Sequence, residues 1–556
     1  MLQASELNGN PPRVPGQVFV YVTLAVFTLL VYILGLFPET TVDSAIYASV
    51  SREIFSSGDF IHLKIHGEPY LQKPPLLFWL AAIFFRLFGV SISVFKLPSL
   101  LFSFLGIYST YRLGRLVHDR ATGLIAALIY GTSEALFLYN MDVHTDMLLT
   151  SNIIFAIWQL AEYIEKRRAL NFILGFIGVG LAMISKGVIG LAVPVFSIGG
   201  YLIAKKDFRT LFSVRWLAGI PILAIILYPA LKGLYDQFGN EGLKFYFWSN
   251  QINRIQGDYT NNTADYTYVF HSLFLIFVPW SLYAYTAFVM DIRKWIANRY
   301  SLGNARMAYA YPAVIIMALI ISVSHQQSPH YLLPTIPLIS IITARCIRDV
   351  SFTDNYPRTY KWMKAAILIT MALVWPLIFL MTLYFFPTRN LLIWIPLGIL
   401  ILLMIFSYLR LQSKIQQLLV PLLATILTAA FVSNAVYMPR ALKYHGPIQA
   451  CYAFNRLAGD NQVLYTYDFK QFETYFYPKE VSNFVNEGQL NKILSEGSSW
   501  FITSEKGYHD IRSVNDTIIT QKQVFPHVSL TNVSFRFLNP KTREETLENI
   551  YLLKIR

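Results

Sequence analysis

About 13 apolar segments long enough to cross a bilayer recur along the chain, and they constrain its fold more than any other feature. Only 14% of the residues are charged, against roughly a quarter in soluble domains. The segments lie near residues 17–37, 94–116, 121–139, 146–164, 170–185, 187–204, 215–231, 267–290, 308–324, 330–347, 362–386, 391–409 and 416–437. They predict a polytopic α-helical membrane protein. A shorter segment, Leu76–Phe88, follows two prolines and is predicted to be an interfacial helix.

The loop charges predict the orientation of the chain in the membrane. Every second loop is basic, beginning with the loop that holds Arg112, Arg115 and Arg120, so these loops and the N-terminus are expected in the cytoplasm. The same distribution explains the net charge of +14 and gives no indication of nucleic-acid binding. An odd number of spans places the C-terminal tail on the outer face, together with the acidic loops.

The composition changes near residue 440, where the tail becomes rich in Asn, Asp, Lys, Ser and Thr. Strand-like runs at Gln462–Tyr467, Trp500–Thr503 and Ile550–Ile555 flank a helical stretch near Leu490–Glu496. We therefore expect two domains. Residues 1–439 form a membrane domain with an outer loop at 38–93, and residues 440–556 form a small soluble α/β domain.

Three carboxylates and a histidine mark the predicted outer face. Asp43 follows the first span and is interpreted either as a helix N-cap or as a general base or metal ligand. Asp142 and Asp146 lie four residues apart, so a shared helix would place them on one face. Asp146 could equally be an N-cap. His144 between them could bind a metal, although a lone histidine is more often structural.

Basic and aromatic residues accompany these acids. Lys73 precedes Pro74-Pro75, and so is predicted at a helix start that favours a phosphate. Lys186 occupies a short turn between two spans, and Tyr331 enters a later span. Interfacial contact with lipid is the alternative for all three. A long outer loop at 232–266 is predicted to contact a polar substrate through Asn250, Asn253, Arg254 and Asp258.

Together these motifs resemble the GT-C membrane glycosyltransferases, in particular the aminoarabinose (lipid A) transferases and the protein O-mannosyltransferases. The matching residues are Asp43, Tyr47, 56–60, Tyr70, 73–75, 78–79, 145–149, 185–187 and 330–334. Ser44, Ile46 and Gln72 stand where the family often has charged residues.

The resemblance implies a GT-C fold and transfer of a sugar, with inversion, from polyprenyl (undecaprenyl) phosphate at the outer face of a bacterial inner membrane. Asp43 and Asp146 would be the catalytic acids, with Asp43 as the base for a hydroxyl acceptor. Lipid A or another envelope glycolipid is the expected acceptor, and a protein is the alternative. No cofactor is expected to be required, although Asp43 and His144 could hold a divalent metal.

The remaining site residues also take their expected roles from the resemblance. The donor phosphate is expected to bind the residues Lys73, Lys186, Tyr70 and Tyr331. The substrate pocket is expected to include the residues Tyr47, His330 and Asp142.

Four other functions are weighed against this prediction. A transporter would place charges at the bilayer midplane and often shows repeated halves, whereas these charges lie at span ends. A ligase for diphosphate-linked glycans would need arginine-rich outer loops, and an oligosaccharyltransferase would need a Trp-Trp-Asp motif. A non-catalytic scaffold would tolerate alanine at Asp43 and Lys73.

Overall fold

Long helices dominate the computed structural model. The structure describes residues 17–250, 253, 256, 263–298, 304–411, 413–459, 462–479, 482–496, 499–514, 518–530 and 533–556. Arg254 and Asp258 of the predicted polar loop lie outside these residues. The first eleven helices are α1 Gln17–Leu34, α2 Val42–Ser57, α3 Leu76–Phe88, α4 Ile92–Val117, α5 Arg120–Gly131, α6 Glu134–Met141, α7 Thr145–Lys166, α8 Ala169–Lys186, α9 Ile189–Ala204, α10 Phe208–Leu211 and α11 Ile220–Lys244.

Seven further helices complete the membrane part that the structure describes, and we refer to them by their bounds. They are Tyr268–Ile276, Ser281–Ala297, Tyr311–Val323, Ile336–Phe352, Pro357–Phe379, Leu391–Arg410 and Lys414–Val432. Because α11 extends to Lys244 and a π-helix continues it over Phe245–Ser249, about the first half of the predicted loop at 232–266 is helical instead.

Fewer of the described helices are long and apolar enough to span a membrane than the sequence predicts. Among the described residues, 8 helices are long and apolar enough to cross a membrane, or up to 9 if the bent pair α5–α6 counts as one span. This count agrees with a polytopic helical membrane protein, and the figure of about 13 stays a prediction. Hydropathy counts apolar residues and does not show where a helix stops. The apolar helices α1, α9 and Leu391–Arg410 are not among these 8, and the segment 267–290 is divided into two helices.

The segment between α1 and α4 carries a helix on each side of a small hairpin. Helix α2 precedes the antiparallel strands β1 (Lys64–Ile65) and β2 (Glu68–Pro69), and α3 follows them. Helix α3 forms with the bounds predicted for it, and its buried side chains include Leu77, Phe78 and Phe85. Helix α3 of this segment contacts α7 and α8, which carry the candidate site.

The C-terminal domain contains a five-stranded mixed sheet, in agreement with the predicted small α/β domain. Its strands are β3 Leu464–Tyr467, β4 Asn483–Val485, β5 Ser499–Thr503, β6 Ile519–His527 and β7 Glu548–Ile555, in the order β4-β3-β5-β7-β6. Strand β3 is parallel to β4 and β5, while β7 is antiparallel to β5 and β6. Its helices include Gly446–Leu457, Glu473–Phe476, Glu487–Glu496, Glu505–Val514 and Phe535–Leu538.

Candidate active site

An ion pair between α7 and α8 lies at the centre of the candidate site. Asp146 is in the first turn of α7, and its carboxylate accepts a hydrogen bond from the Lys186 ammonium at the end of α8. The side chains are 3% and 13% exposed, so the pair is largely removed from water. Gly187 has φ 80 and allows the chain to turn directly into α9. Lys186 is therefore the last residue of α8, directly before the turn at Gly187 and Val188, and not within the turn as the sequence predicts.

The structure contradicts three interpretations of the acids, namely a shared helix for Asp142 and Asp146 and an N-cap at Asp146 or at Asp43. Asp142 and Asp146 do not share a helix, because Asp142 caps the C-terminus of α6 with extended backbone and α7 begins only at Thr145. The N-cap of α7 is His144, so Asp146 is not a cap either. Similarly, the N-cap of α2 is Thr41, so Asp43 lies inside the first turn of that helix.

A cavity of about 110 Å³ opens beside the ion pair. Lys186 and Asp146 line it, and the Lys186 ammonium lies 4.8 Å from the centre of the Tyr331 ring. Lys73 lines the same cavity from the segment before α3. Its other lining residues are Gln72, Pro74, Leu149, Ile189, Asn250, Met317, Ile320, Ile321, Ser324 and Pro334. Cationic groups thus meet an apolar wall in one place, as a phosphate on a long hydrocarbon chain requires.

Tyr70 lies next to this cavity and does not line it. Its side chain is buried and packs edge-on against Phe78, with 5.8 Å between the ring centres. Tyr70 and Lys73 instead share a smaller neighbouring cavity with residues of α11. Burial and the nearby Asp43 carboxylate raise the pKa of the Tyr70 phenol, which keeps it a hydrogen-bond donor at neutral pH.

Asp43 and Tyr47 lie one turn apart on α2, so they share a face of that helix. Asp43 is half-buried, while the Tyr47 ring is buried against Phe78 at 5.8 Å. Burial raises the pKa of Tyr47 well above its usual value, and the charges of Asp43 and Asp146 add to this effect. The start of α2 therefore lies within electrostatic reach of the buried ion pair.

Two histidines connect these groups. His144 lies 3.5 Å from the Asp142 carboxylate, and its ring centre is 5.2 Å from that of His330. In the described part of the chain, a set that could hold a metal consists of His144, Asp146 and His330, with ligand atoms within 4.8 Å of one another. The sequence predicts Asp43 as the metal ligand that accompanies His144, but Asp43 is not in this set. Nitrogen and carboxylate ligands suit zinc, but Asp146 already accepts a hydrogen bond from Lys186.

The sequence does not predict two residues of the site, Tyr139 and Ser324. Tyr139 contacts both histidine rings, at 5.3 Å from His144 and 6.2 Å from His330. Ser324 lines the cavity together with the apolar wall from Tyr311–Val323. An aromatic or small polar residue at a helix end is common in membrane proteins, so the sequence carried no signal for them.

The comparisons with known proteins confirm the resemblance to the GT-C membrane glycosyltransferases. Residues 72–231 match the family model described as dolichyl-phosphate-mannose-protein mannosyltransferase. This range contains Lys73, Asp146 and Lys186, and it excludes Asp43 and Tyr331. The fold is similar to that of ArnT from Cupriavidus metallidurans bound to undecaprenyl phosphate, with a TM-score of 0.72 over 96% of this chain and 98% of that chain, at 15% identity.

Curated protein sequences of low identity also match this chain. The chain is 24% identical to an uncharacterized protein of Aquifex aeolicus over 66% of this chain and 73% of the relative. It is 26% identical to the undecaprenyl phosphate-alpha-4-amino-4-deoxy-L-arabinose arabinosyl transferase of Edwardsiella ictaluri, over 59% of each chain. The matches to such transferases therefore cover less than two thirds of their length.

Proposed function

We propose that the protein is a glycosyltransferase that uses a sugar linked to polyprenyl phosphate, such as undecaprenyl phosphate. The observation that supports this proposal is the cavity that Lys73, Lys186 and Tyr331 line beside an apolar wall. An ammonium next to an aromatic face and a buried carboxylate keeps its charge and its orientation. A lipid phosphate fits such a site better than a free sugar, which carries no charge.

The leaving group determines which residues the reaction needs. The acceptor oxygen forms a bond to the anomeric carbon as the bond from that carbon to the phosphate oxygen breaks, which inverts the configuration. The polyprenyl phosphate leaves as a monoester anion and needs stabilisation of charge more than a proton. Lys73 and Lys186 would supply this stabilisation, with Tyr70 and Tyr331 as hydrogen-bonding and stacking partners.

The acceptor determines the role of Asp43. A hydroxyl acceptor loses its proton during attack, and Asp43 at the start of α2 would accept it. A phosphate acceptor has no proton to lose at neutral pH, so Asp43 would then only orient the acceptor. Asp146 would act indirectly, by holding the Lys186 ammonium in place. Tyr47, Asp142 and His330 would line the sugar and acceptor side of the pocket.

The acceptor we propose is lipid A or another glycolipid of a bacterial envelope, and a protein acceptor is the alternative. The similarity to aminoarabinose transferases supports the first, and the family match to protein mannosyltransferases supports the second. We further propose that the site and the C-terminal domain face the outer side of the inner membrane, with the N-terminus in the cytoplasm. The alternation of basic loops supports this orientation.

Transfer in proteoliposomes tests the proposal. The liposomes would contain undecaprenyl phosphate carrying a radiolabelled sugar, and either lipid A or a mixture of membrane proteins as acceptor. We expect label in the acceptor with the wild type, and its loss with Lys73→Ala. Lys64→Ala is the matched control, because Lys64 is an exposed lysine on β1 in the same outer segment.

The result with each acceptor has a separate meaning. Label in lipid A supports the first acceptor, and label in protein supports the alternative. Equal transfer by Lys73→Ala and the wild type would contradict the assignment of the phosphate site. Transfer of sugar from none of a panel of polyprenyl-phosphate donors would contradict the proposed activity.

A further inference from the structure

A valine in an unusual conformation precedes Asp43. Val42 has φ 49, in the left-handed region that β-branched side chains rarely adopt. It is also the first residue of α2, whose N-cap Thr41 makes no side-chain capping bond. Such a conformation persists only where surrounding contacts hold it, and it is often found at functional sites. The position of the Asp43 backbone depends directly on this residue.

The contact that holds Val42 comes from the C-terminal domain. The Val42 N–H donates to Oε1 of Glu473 at 2.8 Å. Glu473 is 1% exposed and opens the short helix Glu473–Phe476. Glu473 therefore accepts a hydrogen bond from a free amide at the N-terminus of α2. An N-cap side chain usually does this, but here the acceptor comes from the C-terminal domain. Burial raises the pKa of Glu473, but the protonated and ionised forms both keep an oxygen that can accept this bond.

Neighbouring contacts fix the same few residues. The Thr40 N–H donates to the Tyr477 hydroxyl at 2.7 Å, and that hydroxyl donates to the Thr40 carbonyl at 2.9 Å. The Arg52 guanidinium, three turns along α2, donates to the carbonyls of Phe476 and Pro478 at 2.8 and 2.7 Å. The segment 473–478 thus packs along α2, and it forms hydrogen bonds with the residues on both sides of Thr41.

We infer that Glu473 is a positioning residue for Asp43, acting through the left-handed Val42. The C-terminal domain would then be part of the catalytic unit, because it sets the start of the helix that carries the base. This inference rests on the proposed function. It requires only a hydrogen-bond acceptor at position 473, and it does not require a negative charge there.

Two substitutions at Glu473 separate the acceptor from the charge. Glu473→Gln keeps an oxygen in place of Oε1, and we expect kcat within about twofold of the wild type, since the bond to Val42 is retained. Glu473→Ala removes the acceptor, and we expect kcat to fall about tenfold as Val42 returns to common conformations, with a smaller change in KM for the donor. Ser49→Ala is the matched control, because it removes a 3.3 Å bond from α2 to the Phe472 carbonyl without affecting residues 40–43.

A substitution at Val42 tests the proposed route. Glycine adopts the left-handed region without strain. Val42→Gly should therefore restore part of the kcat that Glu473→Ala loses, which a general loss of folding would not allow. Hydrogen–deuterium exchange gives a readout that does not depend on activity. We expect faster exchange of the amides of residues 40–43 in Glu473→Ala, and wild-type exchange in Glu473→Gln.

The outcomes distinguish this inference from the proposed function. Equal losses of kcat in the Gln and Ala variants would overturn the inference, since charge rather than hydrogen bonding would then matter. Unchanged exchange at residues 40–43 in Glu473→Ala would overturn it as well, even where no variant has activity. A wild-type protein without transfer activity that shows the expected exchange pattern would refute the proposed function and leave the positioning of α2 supported.

Discussion

The buried pair of Asp146 and Lys186 gives the sharpest test of the site, because its structural and chemical roles can be separated. Lys186→Met removes the ammonium and keeps a side chain of similar length. The Asp146 carboxylate, 3% exposed, is then left without its lysine. Breaking a buried pair from one side costs about 3–5 kcal/mol of folding stability. We therefore expect Lys186→Met to be destabilised and inactive, which by itself shows no role in the reaction.

The double variant Lys186→Met/Asp146→Leu separates the two effects. Replacing both members of a buried pair with apolar side chains is often neutral or stabilising. We expect the double variant to regain the thermal stability of the wild type, measured by tryptophan fluorescence in detergent. Transfer should stay about 10²–10³-fold below the wild type, the usual cost of one lost donor to a developing anion.

An exposed pair provides the control for this experiment. Lys232 and Asp236 on α11 form an ion pair with side chains 47% and 25% exposed. Exposed pairs contribute about 0–1 kcal/mol, so Lys232→Met should leave both stability and transfer nearly unchanged. Recovery of transfer together with stability in the double variant would refute our reasoning, because Lys186 would then be needed only for folding.

Three further predictions follow from contacts in and around the site. Tyr331→Phe keeps the ring 4.8 Å from the Lys186 ammonium and should retain donor binding, whereas Tyr331→Leu should weaken it about tenfold, as measured by the donor KM. Arg52→Ala removes charged hydrogen bonds to four carbonyls of the C-terminal domain, those of Tyr475, Phe476, Pro478 and Lys479. It should lower the free energy of unfolding by about 2 kcal/mol and speed proteolysis of that domain. Chelation of metals with EDTA should leave transfer unchanged, since Lys186 already binds the Asp146 carboxylate, and a loss restored by zinc would contradict this.

The main groups of the site could be predicted from the sequence because they lie at the ends of apolar segments. Lys73, Lys186 and Tyr331 are polar or aromatic residues at the ends of apolar segments, and a membrane fold gathers such ends at one face. Their common cavity agrees with this reasoning. The number of spans is harder to predict from the sequence. The break between the helices Tyr268–Ile276 and Ser281–Ala297 lies within one apolar segment, so hydropathy alone does not reveal it.

The relation between Asp142 and Asp146 could not be predicted either. Spacing by four residues places two side chains on one face only if the helix is continuous. Here α6 ends at Met141 and α7 begins at Thr145, and the intervening residues carry His144 toward His330. The polar residues between two apolar helices were compatible with both arrangements, and only packing decides between them.

Asp43 and Asp146 show how similar residues near one site come to differ in role. Asp146 is buried and paired with the Lys186 ammonium, so its carboxylate holds the lysine and is a poor base for an acceptor. Asp43 is half-buried at the start of a helix outside the spans, where it can reach an acceptor. We infer that its placement depends on Glu473, which is 431 residues from Val42. A glutamate in a polar tail has the sequence signature of a surface residue. The sequence therefore predicts Asp43 as the base, while the fold provides the contact that we infer to position it.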